Sequence, residues 1–203
     1  MLRPTIRAVL LSVVMIAPTF AVAQQSPPMR IRGTVEKFDD HTLSVKSRDG
    51  KSVTITLAPD FTVRAVVAET LNDIKPGEKV GITSIKGPDG TRQAVEIHIF
   101  PAALSRVRMG EFPWDLGAGS LMTNAPVAEV SSAPQGQTLK LSLNGKEEAI
   151  VVPSGTPIVT YERGDPALLK PGAAVFVLAR KGSNGSLAAA SVTAEKNGIK
   201  PPM

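Results

Sequence analysis

The chain of 203 residues contains no cysteine, one tryptophan, one tyrosine and two histidines. Without cysteine there is no disulfide scaffold, no thiolate metal site and no cysteine nucleophile. The two histidines, His41 and His98, stand in no His-x-x-x-His or Glu-x-x-His spacing, so a dedicated zinc site has no support. A Gly-x-Ser-x-Gly elbow and a phosphate-binding glycine loop are also missing. Asp39, Asp40, Asp49, Asp60, Asp73, Asp89 and Asp165 sit in turn-like sequence, where the side chain bonds the backbone two residues on. No general-acid pair is left over. The expectation is a protein that is not an enzyme and carries no cofactor.

Glycine and proline are abundant at 17 each, and 42% of residues are hydrophobic. This combination excludes a helical bundle and wholesale disorder, and points to short strands joined by tight turns.

The N-terminus carries Arg3 and Arg7, an apolar run from Ala8 to Ala17 and the small-residue site Ala21-Val22-Ala23. That order reads as a secretory signal over residues 1–23, and the run falls short of the roughly 20 residues a membrane span needs. No cysteine follows it, so lipoprotein anchoring is excluded. The expectation is a periplasmic protein with no transmembrane segment after cleavage. Losing Arg3 and Arg7 lowers the formal charge from +5 to +3, spread evenly along the chain. Nucleic-acid binding would need a clustered basic footprint, and is not expected.

Self-similarity organises the remainder. Gly50-Lys51 matches Gly145-Lys146, Ile74-Lys75-Pro76-Gly77 matches Leu169-Lys170-Pro171-Gly172, and Gly87 and Gly90 match Gly182 and Gly185, all 95 positions apart. Val35 is aligned with Val130 at the same offset, and Thr42-Leu43 with Thr138-Leu139 at 96. Period-two alternation predicts strands at 30–38, 41–47, 51–57, 61–67, 78–86 and 91–99 in the first copy. The second copy has them at 125–132, 137–143, 146–152, 157–161, 173–181 and 186–195. Asn144-Gly145 is a hairpin signal, because both residues accept positive φ. Leu71 to Gly77, and its echo Ala167 to Gly172, read as a short helical turn that Pro-Gly stops.

The predicted fold is therefore all-β, with two tandem five- to six-stranded OB-like barrels and a short helical turn in each. The expected division is a first barrel at 24–99, a Trp-containing linker at 100–124, a second barrel at 125–196 and a flexible tail at 197–203. Gly33-Thr34-Val35, Thr42 to Val45 with Asp49-Gly50-Lys51, and Leu71-x-x-Ile74-Lys75-Pro76-Gly77-Glu78-x-Val80 resemble DUF5666, an exported bacterial domain family of unknown function. The resemblance implies an OB-like barrel, often in tandem behind a signal peptide. It covers residues 30–99 well and 125–195 less well, with Ala128 in place of the first glycine. It implies no activity.

Chemistry concentrates in the linker. Residues 100–124 hold the only tryptophan, with Arg106, Arg108, Glu111, Asp115, Met109 and Met122. Long connections without regular structure are often functional. One expectation is a strap in which Phe112, Trp114 and Leu116 plug the groove between barrels. The other is a ligand or partner site built on Trp114, Asp115, Arg106 and Arg108. The alternation of Val95 to Ile99 puts His98 on the Glu96 side, facing solvent if Ile97 and Ile99 are buried. With Met109 and Met122 it would form a soft copper site. The outward face of strands two and three carries Ser44, Lys46, Ser52, Thr54 and Thr56, with no aromatic to stack a base. The reading is a non-catalytic periplasmic binding module for an envelope protein, glycan or small ligand. A metal or small-ligand carrier is the alternative.

Overall fold

Alternating sequence becomes strand wherever turn chemistry brackets it. A computed structural model describes residues 27–104, 106–133 and 136–202, so the expected signal segment lies outside the described residues. The first copy supplies β1 (Met29–Asp39), β2 (Thr42–Ser47), β3 (Ser52–Ala68), β4 (Lys79–Lys86) and β5 (Arg92–Ile99). The linker adds β6 (Gly110–Pro113). The second copy supplies β7 (Leu121–Ala133), β8 (Gly136–Leu143), β9 (Lys146–Val152), β10 (Ile158–Arg163), β11 (Ala174–Lys181) and β12 (Leu187–Ala194). Helical structure is confined to 3-10 turns at Leu71–Asp73, Ala102–Leu104 and Pro166–Leu168. The fold is all-β, and among the described residues no helix is long and apolar enough to cross a membrane.

The turns obey their residues. Asn144 and Gly145 have φ of 50° and 75°, the paired positive values a two-residue hairpin needs. The strands expected at 51–57 and 61–67 run together as β3, with Pro59 falling in the ladder irregularity between Leu57 and Thr62. In the second copy Pro153, Gly155 and Pro157 keep β9 and β10 apart.

The strands close into two barrels, but not the two that contiguous segments would make. β1, β2 and β3 are joined by β11 and β12 of the second copy, and the β12–β3 pairing closes the ring. β7, β8 and β9 are joined by β4 and β5 of the first copy, and β5–β9 closes that ring. The expected division at 24–99 and 125–196 is thereby corrected. Each barrel takes three strands from one copy and two from the other.

The cores follow the exchange. Ile31, Val35, Leu43, Val45 and Ile55 pack with Leu169, Val175, Val177 and Val192 in barrel one. Val80, Ile82 and Ile97 pack with Val127, Leu139, Leu141 and Ile150 in barrel two. Each fully buried Val, Leu or Ile contributes about 1.5–3 kcal/mol. The helical turns go with the exchange too, Ile74 entering barrel two and Leu169 barrel one. The Pro-Gly turns tie across copies: Gly77 N–H donates to Val127 O at 2.8 Å, and Gly172 N–H to Val35 O at 2.8 Å.

Those two bonds also correct the alignment of the first strands. Val35 corresponds to Val127 and Gly33 to Ala125, an offset of 92, and neither Val130 nor Ala128 takes the expected place. The turn between the first two strands differs in length, and alternation alone leaves a strand's register open. The C-terminal segment is also corrected from a flexible tail. Lys196 bridges Ile199 around Asn197 and Gly198, and Pro201 is buried.

Candidate functional site

The linker leaves barrel two at Phe100, makes one 3-10 turn and returns as β6, antiparallel to β7 with Gly110 opposite Asn124. The β6–β7 hairpin is closed by Trp114 N–H to Ser120 O at 2.8 Å and Leu116 N–H to Ser120 Oγ at 3.2 Å. Gly117 and Gly119, at φ of 120° and 71°, permit the reversal. The hairpin tip reaches the outer face of barrel one. Its partners there are the outward residues of β1, Arg30 and Arg32.

Arg30 lies over the Trp114 ring at 3.9 Å and donates from Nη2 to Pro113 O at 3.2 Å. Arg32 Nη1 donates to Asp115 Oδ2 at 2.5 Å, and its guanidinium lies 4.5 Å over Phe176. Arg32 is only 6% exposed. Burial pulls its pKa below the usual arginine value, against the opposing charges of Asp115 and Glu96. Beside the tip, Phe112 meets Trp114 edge-on at 6.0 Å.

Behind this contact lies a polar cluster that joins the barrels. Glu96, 1% exposed, accepts from Thr83 Oγ1 at 2.6 Å and lies 3.2 Å from His98 Nε2. His98 Nδ1 is hydrogen-bonded to the Tyr161 hydroxyl. Burial opposes ionisation of Glu96, but the His98 charge and hydrogen bond, Thr83 and the Arg32 charge together hold its carboxyl below the usual range. Burial and the Glu96 charge push the Tyr161 phenol well above its usual value, so it remains a hydroxyl.

Three buried polar atoms in these two contacts have no hydrogen-bond partner among the described residues: Arg32 Nε, Glu96 Oε2 and Trp114 Nε1. Barrel one also carries a groove of about 670 Å³ that opens beside Asp115. Ile31, Val53 and Leu187 give it an apolar floor, and Arg30, Arg48 and Lys51 line it with positive charge.

Of the expected site residues, Trp114 and Asp115 come together, but with Arg30 and Arg32. Arg106 and Arg108 are corrected as their partners. Arg106 is exposed, and Arg108 lies over Phe112 at 5.0 Å while its carbonyl accepts from Asn124 Nδ2. His98 shares a face with Glu96 as expected, but is 9% exposed because that face meets the other barrel and not solvent. Both its ring nitrogens are engaged. Met122 is buried and Met109 exposed, and among the described residues no group of three or more His, Asp or Glu is placed to hold a metal. Phe112, Trp114 and Leu116 are each half-buried. Arg30-x-Arg32 had a legible signal, two cations on one face of a predicted strand. No protein family, curated protein or solved structure matches this chain.

Proposed function

We propose that this chain is a non-catalytic binding module of the bacterial periplasm, a DUF5666-like protein that uses the groove of barrel one to hold an envelope partner. The observation that carries the reading is the hairpin tip seated beside that groove. Asp115 fixes Arg32 there, and the floor of Ile31, Val53 and Leu187 is ringed by Arg30, Arg48 and Lys51. Apolar floors with a few placed polar groups are the usual make-up of a binding site. The secretory pattern at residues 1–23 and the motifs shared with DUF5666 supply the compartment.

The test is capture from a periplasmic extract by the immobilised mature chain and by an Arg48→Glu/Lys51→Glu variant. Both substitutions are at the β2–β3 turn, and circular dichroism checks that the fold is retained. Loss of a specific captured species in the variant is the expected result. Equal capture by both proteins would place the binding surface elsewhere. N-terminal sequencing of the exported protein should begin at Gln24.

A further inference from the structure

The two barrels are related by internal symmetry, and one strand breaks it. β6 lies along Leu121 to Asn124 of β7, on the side away from β4. The corresponding residues of barrel one, at the offset of 92, are Met29 to Arg32 of β1. On β1 they pair with β11 on one side only, because the β2 ladder begins at Gly33. The second side of this short segment carries no strand among the described residues, and Arg32 O alone accepts there, from Arg48 N–H at 3.0 Å. The groove of about 670 Å³ lies along it.

The side chains show what the two places hold. In barrel two, Glu111 of β6 points down onto Thr123, at 3.2 Å from its hydroxyl, and bonds Arg92 Nη1 at 2.5 Å. Arg92 also reaches Glu148 at 3.4 Å. The counterparts of Thr123, Arg92 and Glu148 in barrel one are Ile31, Leu187 and Val53, as the matching β5–β9 and β12–β3 registers establish. A polar seat for a glutamate in one barrel is an apolar seat in the other. Around it, Lys51 is paired with Asp49, and Arg30 and Arg32 share Asp115, so four cations with Arg48 face two carboxylates and the groove keeps a surplus of positive charge.

The geometry points to strand addition: barrel one takes an extended acidic peptide segment antiparallel to Met29–Arg32, in the place β6 occupies on barrel two. An apolar side chain of the peptide takes the position of Glu111 and seats on Ile31, Val53 and Leu187. Acidic residues on either side face Arg30, Arg48 and Lys51. Addition to a free strand edge draws affinity from main-chain bonds and specificity from alternate side-chain seats. This rests on the binding-module reading and names its partner class.

The probe is a fluorescent synthetic peptide, Asp-Asp-Gly-Val-Phe-Pro-Asp-Asp, in which valine stands where β6 has glutamate. Titration into the full mature chain should show saturable binding, with cross-strand NOEs between the peptide and Arg30 or Ile31. Replacing the peptide valine by glutamate should weaken binding at least tenfold. Arg48→Glu/Lys51→Glu should do the same, as should Val53→Glu, which restores the residue of barrel two. Binding that is indifferent to the valine exchange and lacks cross-strand NOEs overturns strand addition in favour of a simple anion site. Concentration-dependent dimers with the same NOEs between two copies of the chain overturn it in favour of self-association. No peptide binding, with envelope capture still dependent on Arg48 and Lys51, overturns the peptide class and leaves the binding module standing.

Discussion

Val66 and Tyr161 stand opposite each other in the antiparallel β3–β10 ladder, and they are also 95 positions apart in the sequence. Two residues that are both equivalent in the repeat and paired in space mark an internal two-fold axis. The other pairings obey it: Ile158 opposite Ile97 repeats Val63 opposite Val192, and Arg92 opposite Ile150 repeats Leu187 opposite Ile55. The strand pairings follow the 95-residue spacing of the sequence, and β4–β5 and β11–β12 each close the barrel formed by the three strands of the other half. Such an isologous arrangement is what two separate copies of the repeat would form as a swapped dimer.

Exchange makes each copy incomplete by itself. A fragment spanning residues 27–104 has β1, β2 and β3 with neither β11 nor β12 to close the barrel. It should therefore not be a folded monomer. Analytical ultracentrifugation and circular dichroism should find it unfolded or dimeric, and addition of residues 106–203 should yield a folded 1:1 complex. A folded monomeric fragment would mean that closure within one copy is as stable as exchange.

Gly33 is a site where the copies part. A Cβ built there meets Lys46 O at 2.0 Å, because the β1–β2 ladder continues through Gly33 opposite Ser47. Its counterpart Ala125 carries a Cβ without conflict, since the β7–β8 ladder starts only at Val127. Gly33→Ala should cost about 3 kcal/mol or more in a urea melt, as strand separation or overpacking in a closed barrel does. Ala125→Gly should cost about 1 kcal/mol, the entropy of an added glycine and a lost methyl. Similar small losses for both would remove the close approach as the reason for the glycine.

These details show which layers were readable in the residues. Alternation is a property of a few neighbours, so the strands, the Asn144-Gly145 turn and the Pro-Gly stops followed from local sequence. Partner choice is not local. β4 and β5 carry the same pattern whether they close their own barrel or the other one, and only the assembled chain decides. The same holds for Glu96 and His98. Their outward face is correctly read, but outward in a single barrel is inward once two barrels meet. Arg30 and Arg32 lay far from Trp114 in sequence, so the linker's own arginines were the nearer candidates.

Glu96 makes stability depend on acid. Its carboxyl is held below the ordinary value of 4.5, so the fold favours the ionised form. The stabilisation is fully present above the ordinary range and is lost as pH falls through the lower folded value. Thr83, His98 and Arg32 all face this carboxylate. Glu96→Gln keeps the bond from Thr83 but removes the charge, and should cost about 3 kcal/mol at pH 7, at the lower end for a broken buried pair. The gap between wild type and variant should close in strong acid. Asp73 and Asp89, held low by Thr70 and Thr91 in exposed turns, titrate in both proteins and cancel from the difference. A gap that stays constant from pH 7 to pH 3 would show that Glu96 contributes by shape alone.

The seating of the hairpin tip can be read from the only tryptophan. Asp115→Ala removes the carboxylate from Arg32, whose side chain is 5% exposed, while Asp115 itself is 40% exposed. Water reaches one partner and not the other, so the loss should be about 1–2 kcal/mol, less than for a fully buried pair. More telling is where the tip goes. Without Asp115 the hairpin keeps its β6–β7 ladder, and Trp114 keeps its edge contact with Phe112, Arg30 at 3.9 Å and the more distant Arg32 at 5.5 Å, with the Arg30 stacking worth about 0.5–1 kcal/mol at a half-exposed position. Trp114 emission should then shift to the red and acrylamide quenching should rise, with the circular dichroism spectrum unchanged. The Asp115→Glu variant, which restores the charge on a longer stem, should recover part of the shift. If emission and quenching match the wild type, the hairpin is held by its ladder alone, and Arg32 and Asp115 do not hold its tip in place.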